Sequence, residues 1–372
     1  MFKRIVSTAA CSAVLLCSVV SRASEPVQVG FTATLTGDFA SYGLDVRKGF
    51  ELGVEKVRSE DDVNLQVKVS DDHGQPNDGV LAAGRFCEDQ DTLAVAGYTF
   101  SSVALAAAPI LKKCQMPIVA SAITSPQLTG INPYFRRLIM TDAAQGAMMG
   151  EYVARTMGVK SLYILYQQDD YGIGINKAFA DAFVAAGGTL AGQNSYNLGT
   201  KDFRTILAGV KQRKPDAIFI GGFYTEAAMI AKQTQSLGIN ARLIGTDGAL
   251  SSQLVQLGGS ATEGMTLYGM FDSHSQTSAQ TAAFVQQYVA KYQQEPNGWA
   301  ALGYDTALTL GAAAKAARAS GPLNRASMND ALSSIERLPG ATGDISFQAD
   351  GDRSGSLHYF TVKSGKFVLA DQ

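Results

Sequence analysis

Residues 201–249 read KDFRTILAGVKQRKPDAIFIGGFYTEAAMIAKQTQSLGINARLIGTDGA. Asp202–Arg213 has helical periodicity, Lys214-Pro215-Asp216 stops it, and the apolar run Ala217–Ile220 follows at once. A Gly-containing link leads to a second helical segment, Glu226–Leu237, which Gly238 caps before another apolar run, Arg242–Ile244. Strand and helix therefore alternate. Strands this short and this apolar must be covered on both faces, which is what the intervening helices do in a parallel sheet.

The same alternation extends in both directions. Apolar runs at Val27–Phe31, Leu65–Val69, Leu93–Ala96, Ile118–Ala120 and Leu162–Tyr166 alternate with helical segments at Val46–Arg58, Asp78–Asp89, Ser102–Lys113, Ala143–Met157 and Gly174–Ala186. One parallel sheet does not absorb so many units, so two doubly wound α/β lobes are expected, with a seam near Thr141. Three further helices, Thr277–Gln294, Trp299–Arg318 and Arg325–Glu336, are expected to return to the first lobe. Short strands at Gly343–Phe347, Leu357–Val362 and Lys366–Ala370 end the chain. The expected division is residues 24–140 plus 272–345 for one lobe and 141–271 plus 346–372 for the other, joined by a hinge of three crossings with a cleft between.

Composition agrees with large cores. The chain has 372 residues, 46% of them hydrophobic and 17% charged, a globular balance rather than a disordered or fibrous one. With 31 Lys+Arg against 33 Asp+Glu and no long like-charged run, nothing in bulk charge attracts nucleic acid. Residues 1–23 read as a cleavable secretory signal: Lys3 and Arg4, the apolar stretch Ile5–Val20, then Ser21-Arg22-Ala23. Removing it takes Lys3, Arg4 and Arg22 and no acidic residue, leaving 28 basic against 33 acidic residues. Two of the four cysteines, Cys87 and Cys114, remain in an oxidising compartment. A bridge between them would close a loop of about 27 residues, worth roughly 3 kcal/mol on the chain-entropy estimate.

No GxSxG, HExxH, CxxC, P-loop or GxGxxG motif is present, and His73, His274 and His358 have no metal-ligand spacing. Asp350-x-Asp352-x-Ser354-Gly355 imitates the start of a calcium loop, but Thr361 stands at position twelve, so a turn is expected there. No enzyme activity, metal or cofactor is expected.

Ligands of parallel α/β sheets bind beyond the carboxyl ends of the strands. The segments there are Thr34–Tyr42 (TLTGDFASY), Gly97–Ser102 (GYTFSS), Ala120–Pro126 (ASAITSP), Asp169–Gly172 (DDYG), Gly221–Glu226 (GGFYTE) and Gly245–Gly248 (GTDG). Ser101 and Ser102 open one helix and Thr124-Ser125-Pro126 is expected to open another, each presenting free N–H groups beside a hydroxyl. Two such ends facing one point would hold a carboxylate, and the lone Asp247 opposite would hold an ammonium. Together they describe an α-amino acid. Tyr42, Tyr98, Tyr171, Phe223 and Tyr224 are expected to wall the cleft.

These stretches resemble the periplasmic leucine/isoleucine/valine-binding family, the substrate-binding components of ABC importers, over essentially the whole mature chain. The resemblance is carried by VQVGFTATLTGDFASYGLDVRKGFELGVE, DDHGQP, GYTFSS, IVASAITSPQLT, QQDDYG, KDFRTILAGVKQRKPDAIFIGGFYTEA and IGTDGA. It implies the type I periplasmic binding protein fold, with Ser101 and Thr124 holding a ligand carboxylate. It also implies that the Ala122 carbonyl, the Thr124 hydroxyl and Asp247 hold an ammonium, with Tyr42, Tyr171 and Phe223 as walls. Ser102 and Ile123 fall beside these positions and complete the expected ligand-binding set. Phe223 stands where such proteins commonly carry Tyr, Asp247 where they carry Glu, and Phe100 and Ile123 are bulkier than the family's residues there. An altered pocket is therefore expected.

The resemblance implies a monomeric periplasmic receptor that delivers a branched-chain or other neutral amino acid to an inner-membrane permease. Three alternatives stay open: an amine-free carboxylate, a short amide, and a sensory ligand-binding role.

Overall fold

The computed structural model describes residues 25–275 and 278–370. The expected signal at 1–23 lies outside them. The elements of the first half are β1 (Val27–Ala33), α1 (Ala40–Asp61), β2 (Leu65–Asp71), α2 (Pro76–Glu88), β3 (Thr92–Ala96), α3 (Ser101–Lys113), β4 (Ile118–Ala120) and β5 (Phe135–Arg137). Next come α4 (Asp142–Arg155), β6 (Ser161–Gln167), α5 (Asp170–Ala185), β7 (Thr189–Tyr196), α6 (Arg204–Arg213), β8 (Ala217–Gly221) and α7 (Tyr224–Ser236). They are followed by β9 (Arg242–Gly245), α8 (Ser252–Gly258), β10 (Thr266–Gly269), α9 (Ala279–Tyr292), α10 (Gly298–Ser320) and α11 (Arg325–Ser333). The last four strands are β11 (Leu338–Gly340), β12 (Gly343–Ile345), β13 (His358–Lys363) and β14 (Lys366–Leu369).

Two sheets result. The first has the order β2-β1-β3-β4-β5 and is parallel throughout. The second has the order β14-β13-β10-β9-β8-β6-β7; its five inner and distal strands run parallel, and β13 and β14 join them antiparallel. In each sheet the chain starts in the middle and winds both ways, between β1 and β3 and again between β6 and β8. The carboxyl ends at these reversals are where an α/β sheet opens a crevice. Helix α10 lies along α1 and touches β3 and β4, and α4 packs on α5. Among the described residues no helix is long and apolar enough to cross a membrane.

Three segments pass between the two sheets side by side. The Met140 N–H points at Met270 Sδ at 3.2 Å. A Cβ built on Gly355 would come 2.8 Å from Met270 Cε and 3.2 Å from Met140 Sδ, so only a glycine lets the third segment approach the other two. The supposed calcium loop belongs to this bundle. Arg137, with no exposed surface, donates to Asp352 at 2.6 Å, and its backbone N–H donates to the Gly351 carbonyl at 3.0 Å. Arg353 reaches the Leu138, Thr342, Gly343 and Asp344 carbonyls. The Asp350–Gly355 turn therefore knits the hinge.

The Cys87–Cys114 bridge is present and joins the ends of α2 and α3. Several helices start earlier than periodicity indicates: α1 at Ala40 and not Val46, α5 at Asp170 and not Gly174, and α7 at Tyr224 and not Glu226. In α5 the cause is a cap, because Asp169 accepts the Gly172 N–H at 2.8 Å. Tyr42, Tyr171 and Tyr224 thus stand on first turns of helices, not on loops. The second helix expected at Thr124-Ser125-Pro126 is only one 3-10 turn, Pro126–Leu128, capped by Ser125. Gly130, at φ 62°, and Asn132-Pro133 prevent its continuation.

Candidate functional site

Both reversal points face one small cavity of about 20 Å³. The first sheet supplies Thr99, Phe100 and Ser101 after β3, and Ala122 and Thr124 after β4. The second supplies Tyr171 from α5, Phe223 after β8, and Asp247 with Gly248 after β9. Tyr42 of α1 and Trp299 of α10 close the sides. A much larger open groove of about 1110 Å³ lies at the opposite, amino-terminal ends of β1–β3, lined by groups such as Gln28, Gln66, Asp91 and Arg318. It shares none of these residues and lies at the wrong end of the strands for a ligand of this fold.

Of the nine residues expected to bind, seven line the cavity: Tyr42, Ser101, Ala122, Thr124, Tyr171, Phe223 and Asp247. Ser102 and Ile123 do not. Ser102 lies about 100° around α3 from Ser101, which turns it away. Ile123 lies in the irregular segment after β4, its side chain fully buried and absent from the cavity lining, while its carbonyl accepts from Arg137 at 3.2 Å. Two of the expected aromatic walls also lie elsewhere. Tyr98 packs under the first lobe with its hydroxyl toward the Gly79 carbonyl at 3.4 Å. Tyr224 sits at the mouth, donating to the Asp38 carbonyl at 2.9 Å and accepting from Ser41 at 2.9 Å.

Asp247 is the anionic wall of the cavity and is 5% exposed. One carboxylate oxygen accepts from the Tyr171 hydroxyl at 2.6 Å and from the Gly248 N–H at 2.8 Å, and the other accepts from Gln145 at 3.2 Å. Burial pushes its pKa up; the hydrogen bonds from Tyr171, Gly248 and Gln145 oppose that shift by favouring the ionised form. Burial and the Asp247 charge push the Tyr171 pKa well up, so its hydroxyl keeps its proton and donates.

Opposite Asp247 stands the amino terminus of α3, where Phe100 is the capping residue and no side chain occupies the cap. Its leading N–H groups and the helix dipole favour an anion. The Ser101 hydroxyl accepts from the Ser125 N–H at 3.3 Å, which ties the two segments together. The site therefore has one long helix end for an anion, not two.

Gln145 and Asp142, on the first turn of α4, form the back of the site. Gln145 bridges the Met140 carbonyl at 2.8 Å and Asp247 at 3.2 Å. Asp142 is fully buried; burial and then the Asp247 charge push its pKa well up, opposed by the Thr124 hydroxyl and the Arg137 charge. Sequence reasoning missed Asp142, Gln145, Thr99, Gly248 and Trp299. The usable signals were slight: the chain has one Trp, and Thr141-Asp142-x-x-Gln145 puts an acid and an amide together just past the seam.

The lobes are in contact across the cleft. Tyr42 donates to the Gly248 carbonyl and accepts from the Tyr224 N–H at 3.3 Å, and Gln127 donates to Asp170 at 3.2 Å. Phe39, Tyr42 and Phe100 of one lobe meet Phe223 and Tyr224 of the other with ring centroids 4.9–6.1 Å apart.

A family profile described as periplasmic binding protein matches residues 26–366. The chain belongs to that family. A leucine-binding protein from Thermotoga maritima superposes with a TM-score of 0.88 at 27% identity, over 93% of this chain and 98% of that one. A branched-chain amino acid substrate-binding protein from Streptococcus pneumoniae, solved with isoleucine, gives 0.86 at 26% identity over 93% and 100%. Among curated relatives, the leucine-, isoleucine-, valine-, threonine- and alanine-binding protein of Pseudomonas aeruginosa is 26% identical over 89% of this chain and 88% of its own. The type I two-lobe fold of these proteins is the fold found here.

Proposed function

We propose that this periplasmic binding protein is the receptor of an ABC importer for a neutral α-amino acid. The observation that carries the reading is the pairing of Asp247, buried in the cleft wall, with the uncapped amino terminus of α3 on the other lobe. One suits an ammonium and the other a carboxylate, at two ends of one small cavity. Asp247 and the Thr124 hydroxyl hold the ammonium together with the Ala122 carbonyl. Ser101 and the α3 amino terminus hold the carboxylate, and Tyr42, Tyr171 and Phe223 wall the side chain. Membership of a family whose relatives are named as amino-acid-binding proteins supports this.

The cycle needs no covalent step. A ligand docks between lobes 24–140 plus 272–345 and 141–271 plus 346–372, the lobes close about the three crossings, and the closed form meets a permease. Residues 1–23 direct export and are then removed, and the receptor acts as a monomer.

The test is a thermal-shift panel of amino acids, short amides and aromatic carboxylates on mature protein unfolded and refolded to strip bound ligand. A ligand at 100 times its dissociation constant stabilises by about 2.7 kcal/mol. Neutral amino acids are expected to shift the transition. Asp247→Asn is expected to remove the shift while leaving a folded protein, because an ammonium buried without its counter-charge costs about 3–5 kcal/mol. A shift from amine-free carboxylates alone, or undiminished amino-acid affinity in Asp247→Asn by calorimetry, would overturn the zwitterion site.

A further inference from the structure

We infer that Phe100 limits the size of the ligand's side chain and makes this receptor selective for small neutral amino acids, of the alanine and serine class, over branched ones. The inference rests on the amino-acid reading above and departs from the branched-chain amino acids in the relatives' names, although the Pseudomonas aeruginosa relative is named for threonine and alanine as well.

The cavity between the lobes, about 20 Å³, has room for roughly one water. Any ligand must widen it, and the widening grows with the side chain. What resists is the fixity of the two walls. The Phe100 ring is held by its own lobe: its centroid lies 5.9 Å from Phe39 and 6.1 Å from Tyr42, both edge-on. The Gly74 backbone supports it from behind, so closely that a Cβ there would come 3.1 Å from Phe100 Cε2. Facing it at 5.0 Å is Phe223. That ring is fixed within the other lobe, stacked on Tyr171 at 5.1 Å and 14°, and Tyr171 is itself hydrogen-bonded to Asp247.

Neither ring turns aside without unpacking its own lobe, so a bulky side chain is accommodated only by parting the lobes. Parting them breaks the contacts at the mouth, from Tyr42 to Gly248, Tyr224 to Asp38 and Ser41, and Gln127 to Asp170. The smaller the side chain, the less the lobes must part and the less these contacts are strained. Phe100 differs from the other rings of the cage because it stands beside Ser101 at the amino terminus of α3. A ligand whose carboxylate is anchored there has its side chain directed along the Phe100 face.

Calorimetry on refolded protein with alanine, serine, threonine and leucine tests this in the native sequence, in Phe100→Ala and in Phe100→Leu. The native protein is expected to bind alanine at least about tenfold more tightly than leucine, the scale at which a pocket rejects extra methylenes. Phe100→Ala is expected to shift that ratio toward leucine by about tenfold or more while weakening alanine a few-fold, and Phe100→Leu is expected to fall between. If Phe100→Ala fails to fold, Phe100→Leu carries the comparison. Leucine binding the native protein as tightly as alanine, or a ratio unchanged in both variants, would overturn the role of Phe100 and leave the amino-acid reading standing. Binding of none of the four amino acids by any form would overturn both.

Discussion

Two carboxyl groups lie buried here, Asp247 in the cleft wall and Asp142 behind it, and the Asp247 charge adds to the energy of charging Asp142. Asp247 was legible in the sequence because it is the lone acid in a Gly-rich segment after a strand. Asp142 was not, because an acid at the first position of a helix is ordinary dipole chemistry, and it is tertiary packing, with Gly174 of α5 against it, that buries it. The same blindness hid Gln145, and it misassigned Ile123, whose neighbours face the cleft while it faces the core. The proton balance of Asp142 follows from its raised pKa. The folded state holds the proton more tightly than the unfolded chain, so this group's stabilising contribution is complete below about pH 4 and is lost as pH rises through the raised value. Asn cannot ionise and escapes that loss. Asp142→Asn is therefore expected to stabilise the ligand-free protein at pH 7 by roughly 1–3 kcal/mol, the cost of an unpaired buried polar group. The gain should shrink as pH falls toward 4. Urea unfolding of both proteins across that range measures it, and equal stability at pH 7 would mean that Thr124 and Arg137 fully compensate the charge.

At the scale of elements, the alternation of strand and helix was readable wherever a strand was apolar on both faces, as in β6, β8 and β9. It failed for β7, an edge strand in which only Tyr196 is buried, for the short buried β10, and for β5, whose Arg136 is satisfied by Asn329 and Ser333 of α11 and whose Arg137 is satisfied by Asp352 at the hinge. Helix α8, at seven residues, was too short to show a period. Helix α3 was read correctly, and it links stability to the site. Its amino terminus forms the anion end of the cleft, and its last turn is bolted by Cys114 to Cys87 at the end of α2. Arg325 reinforces the bolt, donating to the Cys87 carbonyl at 3.1 Å, Asp89 at 2.8 Å, Thr92 at 2.9 Å and Cys114 at 3.3 Å. The bridge closes a loop of 27 residues. Replacing both cysteines by serine is expected to cost roughly 3 kcal/mol, the chain-entropy value for that span. Arg325 still holds the ends, so ligand affinity should change less than twofold. Denaturant midpoints with and without reductant measure the first effect and calorimetry the second. A large loss of affinity would mean that the bridge, and not Arg325, orients α3.

In the whole molecule, the two lobes are coupled at two distances from the ligand, by the hinge behind it and by polar contacts at the mouth. The hinge groups are buried, Arg137 paired with Asp352 and Arg353 with four carbonyls, and they hold the three crossings together behind the cleft. The mouth contacts exist only when the lobes meet, and they set the balance between the two forms. Tyr224 is their centre, since its hydroxyl serves both the Asp38 carbonyl and Ser41. Tyr224→Phe keeps the ring against Tyr42 and Phe39 and deletes only these two bonds. Each is worth about 0.5–1.5 kcal/mol net, and less at a site water can reach. Removing both lowers the closed population, and the apparent affinity falls with the fraction of competent protein. The expected weakening is about 2- to 10-fold, carried mainly by faster ligand release, with a larger radius of gyration in ligand-free solution scattering. If affinity and radius both stay unchanged, closure is governed by the aromatic rings and the ligand alone, and the mouth only excludes water.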